Sequence, residues 1–141
     1  MRVGFFQFTP VFGEVLHNLD KVVDTLDRAD ADLIVLPELF ASGYQFLSQQ
    51  EVITLSESVP NGPTTQRLID LAKRRRMVIV AGLPERAGAV YYNSAVVVGP
   101  SGFIGCYRKT HLFFEETLFF TPGDTGFQVR SEEHTSELQS Q

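Results

Sequence analysis

A chain of 141 residues with 43 % hydrophobic side chains is long enough for one domain with its own core and short for two. Twelve Lys and Arg against seventeen Asp and Glu give a net charge of −5, which argues against a nucleic-acid partner, and the single cysteine excludes an internal disulfide framework or an all-thiolate zinc site. No apolar run reaches bilayer length, and Met1-Arg2-Val3-Gly4-Phe5-Phe6-Gln7 enters a strand-like pattern with no signal peptide, so a cytoplasmic protein without membrane contact is expected.

The elements alternate, as in an α/β layered fold. Val3 to Phe8 reads as a strand and Pro10 to Gly13 as a turn; Leu16, Leu19, Val23 and Leu26 then recur at helical spacing and predict an amphipathic helix over Val15 to Arg28. Leu33-Ile34-Val35-Leu36 is wholly apolar, the pattern of a strand buried on both faces, and Pro37 ends its ladder. A short helix is predicted over Glu51 to Leu55. The Asn61-Gly62-Pro63 turn leads into a longer one over Thr64 to Arg76, with Leu68, Leu71 and Ala72 inward. Its closing run Lys73-Arg74-Arg75-Arg76 suits the carbonyl end of a helix dipole better than a nucleic-acid patch. Met77 to Leu83, Val90 to Val98 and Phe103 to Tyr107 read as strands, separated by turns at Gly88 and at Gly99-Pro100-Ser101-Gly102, the second of them a hairpin.

From Arg130 the chain changes character. The stretch Arg130-Ser131-Glu132-Glu133-His134-Thr135-Ser136-Glu137-Leu138-Gln139-Ser140 resembles an in-frame translation of a common sequencing-library adapter, and its composition also fits a polar disordered tail. Residues 1–129 are therefore read as the domain and 130–141 as a disordered, adapter-like segment. Setting aside Glu132, Glu133 and Glu137 leaves twelve basic against fourteen acidic residues, a net −2 that predicts neither a polyanion partner nor an acidic-tail function.

Glu38 falls at the carboxyl end of an apolar strand, directly after Pro37, where it is poorly placed for solvation and suited to general-base work; an ordinary loop glutamate pairing with an arginine fits the same position. Lys109 closes a later strand within Arg108-Lys109-Thr110-His111. His111 and Glu115 have the spacing of two ligands on one helix face, but no His/Cys cluster completes a metal shell, and a histidine bonded to backbone is the preferred reading. Cys106 lies inside a strand and reads as a small buried hydrophobe. Phe113, Phe114, Phe119 and Phe120 read as core and pocket lining rather than a partner-binding patch.

Val35-Leu36-Pro37-Glu38-Leu39-Phe40 with Gly43-Tyr44, and Tyr107-Arg108-Lys109-Thr110-His111-Leu112-Phe113-Phe114-Glu115-Glu116 with Phe119-Phe120-Thr121-Pro122-Gly123-Asp124, resemble the Glu and Lys motifs of the nitrilase, or carbon-nitrogen hydrolase, superfamily. Tyr92-Asn93-Ser94-Ala95 resembles a recurrent strand segment of that family, in which Asn93 is expected to make backbone bonds that shape the site. The resemblance covers Met1 to Val129. It implies a four-layer α-β-β-α sandwich of which this chain supplies about the first half, and catalytic roles for Glu38, Lys109 and Glu116. Glu116 is preferred to Glu115 by its offset from Lys109. It further implies a general base, Glu38; an ammonium, Lys109, that stabilises a tetrahedral oxyanion and favours a thiolate; and a cysteine nucleophile following the lysine. Cys106 precedes the lysine, so the chain as written is expected to lack the nucleophile, to be inactive, and to be poorly soluble with uncovered apolar faces and sheet edges. The resemblance implies no metal or organic cofactor, a small amide-type substrate, and self-association of the intact protein. A small aliphatic amide is the preferred substrate, with nitriles and N-carbamoyl amines open, and with a non-catalytic binding module or a metal-dependent hydrolase through His111, Glu115 and Glu38 as other classes.

Overall fold

A computed structural model describes residues 1–131 and 134–140. A five-stranded sheet runs in the order β1 (Val3–Phe5), β2 (Leu33–Val35), β3 (Val78–Ala87), β4 (Val90–Gly99), β5 (Gly102–Arg108). The first three strands are parallel, joined by crossovers through α1 (Val15–Leu26) and through α2 (Gln49–Leu55) and α3 (Pro63–Arg75); the last three form an antiparallel meander. A 3₁₀ turn, Phe114–Leu118, follows β5.

Strand alternation divides the sheet into two unlike faces. Ile79, Ala81, Leu83, Val96 and Val98 point to one, where Leu19, Val22 and Leu26 of α1 and Leu68, Leu71 and Ala72 of α3 bury them. The α1 stripe runs through Asn18, Leu19, Val22 and Leu26; Leu16 lies off it and is exposed, which corrects the apolar spacing read from Leu16. The opposite face is left open at β1 and β2. Val3, Phe5 and Val35 stand exposed on it, so Leu33–Val35 is buried on one side only and not on both, as an apolar run had predicted. One helical layer on one sheet is what the first half of a four-layer sandwich would present.

Two further departures have local causes. β3 continues past Leu83 through Pro84 because the proline points its missing N–H away from β4: the Pro84 carbonyl, on that same side, accepts from Glu57 N at 3.0 Å. The basic run at the end of α3 is held against α1, with Arg74 forked onto Asp27 at 3.0 Å and Arg75 donating to the Ala29 carbonyl at 3.1 Å.

Beyond the main sheet, the backbone pairs β6 (Gln128–Ser131) with β7 (His134–Ser140) as an antiparallel ribbon. Just before the ribbon Phe127 stacks on Tyr107 of β5 at 5.8 Å, and the Arg130 guanidinium lies close over Gly105 of the same strand. Of the 130–141 segment, residues 132, 133 and 141 lie outside the described residues.

Candidate active site

The β2–α2 loop carries Glu38 to the open face of the sheet. Leu36 N donates to Val80 O at 2.8 Å and Phe40 N to Gly82 O at 3.0 Å, so the loop is stitched to β3 on both sides of the glutamate. Gly82 is required by this approach: a Cβ there would lie 2.7 Å from Leu39 N and 2.8 Å from Glu38 Cα. Leu39 takes a left-handed φ of 49°, a strained conformation for a branched residue, held by burial of Leu39, Phe40 and Ala41. Asn18, a residue not singled out from sequence, ties this loop to the one after β1, accepting from Val11 N and donating to Val11 O and Ala41 O.

Lys109 follows β5, and its backbone continues the ladder: Lys109 N donates to Asn93 O at 2.8 Å and Gly123 N to Lys109 O at 2.8 Å. Gly123 packs so closely on the Arg108 carbonyl that any side chain there would clash. The ammonium meets both predicted glutamates, Glu38 Oε1 at 2.9 Å and Glu116 Oε2 at 2.8 Å. Glu116 also accepts from Phe113 N at 2.7 Å, the reciprocal contact of an acidic residue at the third position of a helical turn. Glu115 beside it is exposed, as is His111, and neither joins this cluster; among the described residues no three His, Cys, Asp or Glu side chains converge as a metal site would need.

Asn93 does more than its backbone role. Its buried carboxamide donates at 2.7 Å to Glu38 Oε1 and at 2.7 Å to Glu116 Oε1. The cluster thereby closes into a ring of one ammonium, one amide and two carboxylates. Burial alone would lower the Lys109 pKa, yet the hydrogen bonds and charges of Glu116 and Glu38 carry it above its ordinary value. Burial likewise opposes ionisation of Glu116, but Lys109, the Phe113 N–H and Asn93 hold it below the usual carboxylate value. Glu38 is not desolvated as its position after an apolar strand had suggested. Its side chain is 48 % exposed, because the loop places it on the wall of an open depression rather than beneath it.

That depression has a volume of about 950 Å³, with Glu38, Lys109 and Glu116 among its lining residues. Its aromatic wall divides. Phe120 is buried and packs edge-on to Phe46 at 5.6 Å, with Phe119 half-buried beside them, whereas Phe113 and Phe114 are each 77 % exposed and line the depression without being core.

Sequence reasoning missed Glu85. It is buried on the helix-covered face, forked by Arg108 (Nε–Oε1 3.0 Å, Nη2–Oε2 2.7 Å) and accepting from Ser94 Oγ at 2.7 Å. Arg108 also pairs with Asp124 at 2.9 Å and lies 4.2 Å over the Tyr92 ring. Burial opposes ionisation of Glu85, and Arg108 and Ser94 reverse it, leaving its pKa below the ordinary value. A carboxylate directly after the apolar run Val78-Ile79-Val80-Ala81-Gly82-Leu83-Pro84 was the available signal. Cys106 sits beside this pair, and burial together with the Glu85 charge pushes its thiol up to about 12, the opposite of what a nucleophile needs.

The comparisons with known proteins bear on the family and the fold. The family model described as carbon-nitrogen hydrolase matches residues 2–136. A protein named nitrilase from Pyrococcus abyssi (strain GE5 / Orsay) is 46 % identical over 132 residues, covering 92 % of this chain and 50 % of its own length. An (R)-stereoselective amidase from Pseudomonas sp. is 32 % identical over 126 residues, covering 88 % of this chain and 45 % of its own. The crystal structure of a CN-hydrolase superfamily protein from Xanthomonas campestris superposes with a TM-score of 0.82 at 25 % identity, covering 93 % of this chain and 49 % of that one. The chain thus spans about half the length of these proteins. A match running through nearly the whole chain, to proteins whose fold this sheet and its helices reproduce, leaves one assignment: the chain belongs to the carbon-nitrogen hydrolase family.

Proposed function

We propose that this chain carries the proton-transfer and oxyanion-binding part of a thiol hydrolase that converts a small aliphatic amide to its acid and ammonia. The observation that carries the reading is Lys109 Nζ held between Glu38 and Glu116 in the lining of an apolar-walled depression. An ammonium has three donors. The two carboxylates take two, and the third is available to a developing oxyanion. Glu38 takes the proton of a cysteine thiol supplied by sequence following the lysine. The thiolate attacks the amide carbon, and Lys109 stabilises the tetrahedral oxyanion. The C–N bond then breaks as Glu38 returns the proton to the leaving nitrogen, giving ammonia and a thioester. Water, deprotonated by Glu38, attacks that thioester and releases the acid and the thiol. Glu116 fixes the Lys109 ammonium, and Cys106, on the other face and with a raised pKa, takes no part. The 141-residue chain alone is inactive.

The test is ammonia release from acetamide and butyramide, comparing the 141-residue chain with the protein continued through its own downstream sequence. Turnover by the longer protein only, abolished by iodoacetamide and indifferent to EDTA, supports the reading; loss of activity to EDTA would replace it with a metal-dependent hydrolase. The relative named nitrilase gives weight to a second reading, nitrile hydrolysis, in which ammonia release from butyronitrile exceeds that from butyramide. N-carbamoyl amines are the third substrate class to be assayed. A longer protein with no cysteine after Lys109 and no turnover would make the fold a binding module.

A further inference from the structure

We propose that Asn93 is a positioning residue whose side-chain amide clamps Oε1 of both glutamates, so that Glu38 keeps Oε2 for proton transfer. The amide orientation is fixed by its partners. Both neighbours of the Asn93 terminal atom are carboxylate oxygens, which only accept, so the NH₂ group faces them and its two protons serve one glutamate each. Glu38 Oε1 then accepts from Asn93 Nδ2 at 2.7 Å and from Lys109 Nζ at 2.9 Å. No described side chain donates to Glu38 Oε2, although the side chain is half exposed at the depression. One oxygen is held and the other is left to work. On Glu116 both oxygens are committed, Oε1 to Asn93 and Oε2 to Lys109 and Phe113 N. The same clamp therefore separates the two carboxylates by role: Glu116 is fully hydrogen-bonded and fixed as an anion, while Glu38 is tethered on one side only. A neutral amide does this without adding a third charge to the cluster. Asn93 can hold its place because its strand is fixed independently, through the Lys109 N–H on its carbonyl and through the neighbouring Ser94 bonded to Glu85 on the far face.

The assignment of Oε2 rests on reading Glu38 as the base, but its test reads hydrogen bonds rather than turnover, so either can fail alone. The chain has three asparagines, Asn18, Asn61 and Asn93, and uniform ¹⁵N-asparagine labelling of the full chain on a soluble carrier gives three side-chain NH₂ pairs. Both Asn93 protons should lie downfield of those of exposed Asn61. Glu38→Gln should return one of them toward the Asn61 position, and Glu116→Gln should return the other. A pair that responds to neither substitution, or in which one proton answers to both, overturns the clamp. Should either variant lose its folded spectrum, acidification of the unmodified chain serves instead: the proton facing Glu116 moves as that carboxyl titrates below the ordinary glutamate range, and an Asn93 pair unmoved by that titration overturns the proposal equally.

Discussion

Arg108 and Lys109 are adjacent cations, and Ser94 and Asn93 are adjacent polar residues on the neighbouring strand, yet each pair is split between two clusters with opposite character. Arg108 and Ser94 turn to the helix-covered face and lock Glu85 in a bidentate, closed network. Lys109 and Asn93 turn to the open face and hold Glu38 and Glu116 beside a depression. The side-chain identities follow the tasks. A planar guanidinium fork suits a buried carboxylate and an aromatic face, and a compact ammonium bonds two carboxylates with one donor to spare. One turn of strand alternation thus builds the support and the site from the same four positions.

The contrast is sharpest in stability. Glu85→Ala strands a partly buried guanidinium and should cost about 3 kcal/mol, the scale of breaking one side of a buried pair, read from urea denaturation. Lys109→Met removes the cation from a cluster that solvent reaches and should cost about 1 kcal/mol or less. Equal costs would erase the distinction between support and site.

Gly82→Ala strikes the approach of the Glu38 loop to β3. Its Cβ would meet backbone atoms that cannot swing away, so a loss of about 1–3 kcal/mol is expected, with the Asn93 side-chain resonances displaced as Glu38 moves. Unchanged stability would mean that the loop is not pinned there.

Acid separates the clusters less. Glu85 and Glu116 both have folded pKa values below the ordinary 4.5, so the unfolded chain binds more protons there. Their contribution is complete above about 4.5 and is lost as pH falls through the folded values; Lys109, shifted upward from 10.5, contributes below that value and is lost as pH rises through the folded one. The urea midpoint should decline on acidification below about pH 4.5, and Glu116→Gln should flatten part of that decline. The smallest effect belongs to the rim of the depression. Phe114→Ser should change stability by about 0.5 kcal/mol or less, because that ring is already exposed.

The sequence made the element order legible because each helix and strand carries its own apolar period, and Leu68, Leu71 and Ala72 are buried as their spacing indicates. The motifs point to Glu38, Lys109 and Glu116, and in the structure Lys109 lies within hydrogen-bond reach of both glutamates. What it did not disclose was face. Leu16 and Val35 fit apolar patterns but point away from the helix-covered core, since a local period says nothing about which neighbouring layer exists to cover it. The amide of Asn93 and the buried charge of Glu85 were equally hidden, because their partners lie on other strands and meet them only through register.

The measurement that bears most directly on the central claim is ammonia release from butyramide by the protein continued past residue 129, compared with its Glu38→Gln and Lys109→Met variants. Turnover that requires both residues and a cysteine following Lys109, and that the 141-residue chain cannot perform alone, is the expected result. Undiminished hydrolysis by both variants, or hydrolysis by a longer protein lacking any such cysteine, would contradict it.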